Sequence, residues 1–386
     1  MSRSRSYRRV LAAVALLVFA APLQAQRANR DAPVRGGIPV LAWHYFKDAP
    51  EPGDGNLTES YAAFEAMLRF LKEHGFRSVF PEDARLPADG GGRQVILTFD
   101  DGHRDHVRVA EVLERHGFRG IFFVIPGRTR AESDRFLTAA DVERLARAGH
   151  RVAAHGWEHR SLPASGTEVG GSMARSPAVL EEHTGADAAP DFAFPFGHYT
   201  PEVAEALNER YVYLHTVNPG YWDALSPLVP RMLIMTDVDP AIYRDYLLGG
   251  ARYAPRLEPL TPDGAVADSV AFLVRGGRVP ENVELFAISA DAEGRSYVRR
   301  PLGERLRVRG DTAWVDVGGY LRAFHGPTRI VLSFALVVPE RGGALRYLSP
   351  GVMYWRQDPA AVLPRPRPDA PPPASADTAA PPPPRS

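Results

Sequence analysis

Three short segments carry the side chains best suited to chemistry. Thr98-Phe99-Asp100-Asp101-Gly102 places two adjacent carboxylates before a glycine turn. Neighbouring aspartates repel unless a cation or hydrogen-bond donors offset their charge. The pair therefore reads either as an acid–base or cation site, or as turn residues that cap a following helix. Ala154-His155-Gly156-Trp157-Glu158-His159 sets two imidazoles four residues apart. On a helical turn that spacing shares one face and can hold a divalent metal while leaving places for a carboxylate and a water. Taken alone, the same pattern also arises as surface coincidence. Phe192-Ala193-Phe194-Pro195-Phe196-Gly197-His198 fixes a sharp turn, which can either aim backbone N–H groups at an oxyanion or simply join a strand to a helix.

The elements that must position these groups read as an alternation. Val95 to Phe99 and Gly120 to Ile125 are continuous apolar runs, as expected of strands buried on both faces. Ile38 to His44, Arg151 to Ala154, Asp191 to Phe194, Tyr211 to Val217 and Arg231 to Met235 read as further strands. Between them fall helices over Leu57 to His74, Val107 to His116, Thr138 to Ala148, Ser176 to His183 and Pro201 to Arg210. Tyr61, Phe64, Met67, Leu68 and Leu71 give the first its apolar face, and Thr138 with Asp141 gives the third a capping box. The fold class predicted for residues 38–254 is α/β, a distorted (β/α) barrel of seven or eight strands. All three chemical segments lie where a strand ends, the end at which such barrels gather their reacting groups.

Composition narrows the partners. Among 386 residues, Lys+Arg 46 balance Asp+Glu 46, so there is no basic excess of the kind that nucleic acid requires. There is no cysteine, which leaves histidines and carboxylates as metal ligands. Arg3, Arg5, Arg8 and Arg9 precede an apolar run from Val10 to Ala21 and then Leu23-Gln24-Ala25. That pattern reads as a secretory signal over residues 1–25, followed by a linker over 26–37. The alternative reading of the same run is an uncleaved anchor; as a cleaved signal it predicts a mature chain in the periplasm, at the cell surface or outside the cell, with no stable membrane span. Past Pro255 the helical pattern stops. Strands at Ser269 to Arg275, Val283 to Ser289, Arg305 to Val308, Ala313 to Val317, Arg329 to Val337 and Gly351 to Tyr354 predict a small all-β sandwich domain over 262–358, in which Trp314, Tyr320 and Trp355 read either as core or as part of a glycan-binding face. The Pro-rich tail at 359–386 cannot form a core and is expected to be disordered.

In this order, and over about Ile38 to Gly250, the three segments resemble the polysaccharide deacetylase family, also called the NodB homology domain or carbohydrate esterase family 4. Thr98 to Gly102 looks like its first motif, His155 to His159 like its second, and Phe194 to Gly197 like a variant of its third. The resemblance implies that Asp100 is the catalytic base. It implies that Asp101, His155 and His159 bind a metal (Zn2+, or another divalent ion such as Co2+ or Ni2+) and that the backbone N–H at Phe196, with Gly197 shaping the turn, faces the oxyanion. Pro39-Val40-Leu41-Ala42-Trp43-His44 is similar to the N-terminal segment of the branch that deacetylates poly-N-acetylglucosamine, which implies that His44 is the catalytic acid.

Two departures from the family pattern matter. The arginine that normally precedes the Pro of the third motif is missing, since Ala193 and Phe194 stand there, and Arg231 is the candidate to replace it. His215, in Leu214-His215, superficially fits the family's last motif but lies too early and reads as an ordinary strand histidine. The implied activity is hydrolysis of the N-acetyl groups of a GlcNAc-containing polysaccharide: poly-N-acetylglucosamine, a chitin-like polymer or the peptidoglycan glycan. The rivals are an inactive carbohydrate-binding scaffold, an esterase or amidase of the same superfamily, and a non-haem iron oxygenase. The last uses two histidines and a carboxylate, but on an all-β fold that this alternation does not match.

Overall fold

The computed structural model describes residues 37–249 apart from 87–91, 130–133, 165 and 219, and beyond them a set of strands between 256 and 357. The expected signal and linker, and the Pro-rich tail, lie outside the described residues. No helix among the described residues is long and apolar enough to cross a membrane.

The barrel is built from β1 (Ile38–Trp43), β2 (Arg93–Phe99), β3 (Ile121–Val124), β4 (Arg151–Ala154), β5 (Asp191–Ala193) and β6 (Tyr213–His215). Each pairs in parallel with the next. β7 (Leu228–Val229) pairs in parallel with β6, and β8 (Met232–Leu233) pairs in parallel with β1. One extended stretch, interrupted at Pro230 and Arg231, thus forms the seventh stave and brings the sheet nearly to closure. The short strand Tyr221–Trp222 adds an antiparallel pairing to β1.

Strand parity explains the packing, because successive side chains point to opposite faces. Val40, Ile96, Ile121, Phe123, Ala153, Ala193 and Val229 form one buried cluster inside the barrel. Their neighbours Leu41, Leu97, Phe99, Phe122, Val152, Phe192 and Leu214 form another, against the helices. Those helices are α1 (Tyr61–Glu73), α2 (His106–His116), α3 (Ala139–Arg147), α4 (Gly166–Thr184), α5 (Pro201–Asn208) and α6 (Pro240–Gly249). Tyr61, Phe64, Leu68 and Leu71 supply the buried stripe of α1. The capping box of α3 forms as its sequence predicts, Thr138 accepting from the Asp141 amide and Asp141 from the Thr138 amide.

Several boundaries differ from the sequence reading. α4 starts at Gly166 rather than near Ser176, because Gly170, Gly171 and Pro177 break the local pattern without ending the helix. Its packing outweighs their poor propensity. α6 was not expected. The strand predicted from Arg231 to Met235 instead ends at Leu233 and begins before Pro230.

Beyond the barrel the strands form two antiparallel sheets. One has four strands, Arg256–Pro259, Ser269–Arg275, Thr312–Asp316 and Leu306–Arg309. The other joins Val298–Pro301, Glu284–Asp291, Arg329–Pro339, Leu345–Tyr347 and Val352–Gln357. Trp314 is 36% exposed rather than in a core, because it stands on the strand face opposite buried Ala313.

Candidate active site

The site lies at the C-terminal mouth of the barrel, and parity places much of it. Asp100 follows β2 on the inward face of Ile96 and Thr98. His155 follows β4 on the face of Ala153, and Arg231 follows β7 on the face of Val229. His44 continues the inward face of Val40 and Ala42 just beyond β1. Asp101 would by the same rule point outward, but its φ of 75° breaks the strand. Asp101, His159 and Phe196 are three of the four non-glycine residues with left-handed φ among the described residues. Such a conformation costs on the order of 1–3 kcal/mol and tends to persist where the surroundings enforce it for function.

Asp101, His155 and His159 each offer a donor atom, all within 4.8 Å of one another. His155 Nε2 lies 3.4 Å and His159 Nε2 3.1 Å from Asp101 Oδ1. His155 Nδ1 stands 2.9 Å from the Ala193 carbonyl, so that ring donates from Nδ1 and turns its Nε2 lone pair toward Asp101. Asp101 Oδ1 is buried and accepts no hydrogen bond of normal geometry. A buried carboxylate oxygen facing two imidazole nitrogens is costly unless positive charge lies among them. An O, N, N donor set of this kind suits a divalent ion of the zinc class. The two histidines do not share a helical turn, as their spacing had implied. They bracket an irregular bend in which Gly156 and His159 both have positive φ, and the bend, rather than a helix face, brings them together.

Asp100 sits beside this cluster, 1% exposed. The guanidinium of Arg231, fully buried, donates from its two terminal nitrogens to Oδ1 at 2.6 Å and Oδ2 at 2.8 Å. Arg231 is itself held by the Thr98 hydroxyl at 3.2 Å and, through Nε, by the Thr216 carbonyl at 2.8 Å. It therefore faces a carboxylate rather than the open mouth, so its contact is with Asp100 and not with an oxyanion. Burial pushes the Asp100 carboxyl up, but Arg231, His155 and His44 together reverse this and hold it at about 2. Burial likewise opposes ionisation of Asp101, yet His155 and His159 keep it well below the usual carboxylate range.

His44 Nε2 stands 3.8 Å from Asp100 Oδ2. Burial pushes its pKa below 6.5, against the pull of Asp100 and Asp101. The His44 carbonyl accepts from His106 Nε2 at 2.6 Å, which anchors the backbone at the acid candidate. In the third segment the Gly197 N–H donates to the Phe194 carbonyl at 2.8 Å. That amide is spent on closing the turn, so Gly197 serves the turn's shape. The Phe196 ring meets His159 edge-on at 4.4 Å, which places its residue beside the metal-ligand candidates. His215 lies inside the barrel, bonded to Asp191 at 2.7 Å, away from the mouth.

Sequence reasoning missed Tyr45 and His103. Tyr45 donates to Asp101 Oδ2 at 3.1 Å, and His103 Nε2 lies 4.0 Å from the same oxygen. Both are sequence neighbours of residues already singled out, and that adjacency was the available signal.

With this geometry in place, comparison with known proteins shows what the barrel is similar to. Residues 88–213, which span the barrel from before β2 to the start of β6, match the family model for polysaccharide deacetylase. Among curated proteins, none matches the sequence. Among solved structures the chain is similar to a polysaccharide deacetylase, BC0361, from Bacillus cereus (24% identity, 55% of this chain and 69% of that one, TM-score 0.49). It is also similar to the Streptococcus pyogenes deacetylase PplD in complex with acetate (24% identity, 53% and 95%, TM-score 0.48) and to IcaB from Ammonifex degensii (24% identity, 55% and 96%, TM-score 0.46).

Proposed function

We propose that this chain is an exported, metal-dependent N-deacetylase acting on a GlcNAc-containing polysaccharide, with poly-N-acetylglucosamine, a chitin-like polymer and the peptidoglycan glycan as the candidate substrates. The observation that carries the reading is the juxtaposition of the Asp101–His155–His159 donor cluster with a second carboxylate, Asp100, kept ionised by Arg231. An inert scaffold gains nothing from burying such a pair, whereas a hydrolase needs a fixed proton acceptor beside its electrophile.

Asp101, His155 and His159 would hold the metal, Zn2+ or another divalent ion such as Co2+ or Ni2+. Such an ion, when bound, lowers the pKa of a water and polarises a carbonyl. Asp100 accepts a proton from the water that attacks the acetyl carbonyl, and Arg231 keeps its carboxylate aimed. The Phe196 N–H donates to the oxygen that gains negative charge. His44 delivers a proton to the departing amine. Asp100 Oδ2, 3.8 Å away, is the near source of that proton. The proton balance then closes: one leaves the water and one reaches the amine.

The test is acetate release from a defined panel of N-acetylated glycans, with and without a chelator. The reading requires release from at least one GlcNAc polymer that stops on chelation and resumes when a divalent ion is added back. Release only from O-acetyl esters, or release insensitive to chelation, would overturn it.

A further inference from the structure

The chain leaves the barrel after His44 as a short strand, Tyr45–Lys47, paired in parallel with Thr58–Ser60. The Tyr45 amide donates to the Leu57 carbonyl at 3.2 Å, so the backbone of this residue is fixed outside the barrel wall. Its half-buried ring meets His103 edge-on at 4.3 Å, and its hydroxyl donates to Asp101 Oδ2 at 3.1 Å. His103 Nε2, at 4.0 Å from that oxygen, is too far to share the task by a normal hydrogen bond. The two oxygens of Asp101 are thus divided. Oδ2 is held by a phenol, and Oδ1 faces both imidazoles without a hydrogen bond of its own.

We propose that Tyr45 is a positioning residue of the metal centre: by occupying Asp101 Oδ2, its hydroxyl presents Oδ1 alone to a divalent cation. The carboxylate of an aspartate turns easily about its last torsion, for which the rotamer wells are broad. Without the phenol it is free to offer both oxygens or to swing away. The inference rests on the metal reading above, but it concerns a residue that the three motifs do not include.

Tyr45→Phe removes one O–H and keeps the ring against His103. The test is a titration of the metal-free full chain with Zn2+ against a competing chelator, and with Co2+ followed by visible absorption. Loss of a hydrogen bond to a metal ligand is expected to weaken Zn2+ binding about 10- to 100-fold, and an affinity within about twofold of the wild type overturns the proposal. The Co2+ spectrum of the variant is expected to lose intensity as the second oxygen enters the coordination sphere, and an unchanged spectrum counts against the assignment. Melting of the metal-free proteins separates a packing role: a lower Tm for the variant with unchanged Zn2+ affinity assigns Tyr45 to packing and overturns the proposal. If the wild type binds neither ion, the metal reading itself falls and Tyr45 falls with it. Wild-type binding with an indifferent variant sinks Tyr45 alone.

Discussion

Arg231 and Asp100, separated by 131 positions in the chain, meet through two parallel hydrogen bonds inside a wall that excludes water. The guanidinium fork matches a carboxylate as no ammonium can. Removing the cation while leaving the carboxylate is expected to cost about 3–5 kcal/mol, as for other broken buried pairs. Arg231→Met should therefore lower the urea midpoint strongly. Arg231→Lys should retain more stability yet lose most of the acetate-release rate, because a single point charge cannot fix both oxygens. Equal kcat/KM in Arg231→Lys and the wild type would show that the fork does not orient Asp100.

The two adjacent aspartates are expected to separate cleanly on mutation. Asp100→Asn keeps the donor cluster intact, so metal content measured on the purified protein should match the wild type. Turnover should fall by about 10²–10⁴-fold, the usual worth of a positioned general base. His155→Ala removes a ligand and should lose the metal along with the activity. Metal also stabilises the fold that binds it, by about 2.7 kcal/mol at a free concentration a hundred times Kd. Chelation should consequently lower the Tm of the wild type and leave that of His155→Ala unmoved. A His155→Ala protein with full zinc content would remove that residue from the ligand set.

How much of this was legible in the sequence follows from physical range. Local rules gave the apolar runs of β2 and β3, the Thr138 capping box and the placing of Asp100 and His155 at strand ends, because each depends on neighbours in the chain. The pairing of Arg231 with Asp100 depends on closure of the barrel, and only register decides which residue of the last stave faces inward. The sequence offered Arg231 merely as a candidate. The His155–His159 pair was correct in spacing and wrong in conformation, since a positive φ at His159 leaves no mark in hydrophobic periodicity. Tyr45 was overlooked for the same reason: its hydrogen bond to Asp101 crosses 56 positions. α4 was truncated because Gly170, Gly171 and Pro177 argue locally against a helix that tertiary packing retains.

Stability should also report a histidine remote from the mouth. The His150 side chain is wholly buried, with Nδ1 accepting from the Gly120 amide at 3.2 Å. Burial pushes its pKa down to about 4, although Glu114 opposes the shift. The folded state therefore keeps His150 neutral where the unfolded chain, titrating near 6.5, already binds a proton. Between about 6.5 and 4 the unfolded state holds more protons, so unfolding free energy falls as pH falls through that window. The loss attributable to His150 is at most about 3.5 kcal/mol, from the cost of about 1.4 kcal/mol per pKa unit. His150→Gln can still accept from Gly120 but does not titrate. Urea unfolding from pH 7 to 4 should show a shallower decline for the variant, and parallel curves would exclude His150 as a source.

Gly197 closes the turn that carries Phe196, and its φ of 69° lies where a side chain is strained. A Cβ built there would stand 2.1 Å from Val217 Cγ2, so Gly197→Ala forces either the turn or β6's outgoing segment to move. The variant should be less stable by more than the roughly 1 kcal/mol of conformational cost alone. Its kcat should fall as well, because the Phe196 amide and the ring against His159 shift with the turn. Val217→Ala removes the colliding methyl groups at the price of a small cavity. In the double variant the steric part should be relieved while the strain of a positive φ remains, so Tm and kcat should recover in part and together. Recovery of Tm without kcat would mean that the turn supports the fold but does not aim the Phe196 amide. No recovery of either would show that the strained backbone, rather than the contact with Val217, sets the cost.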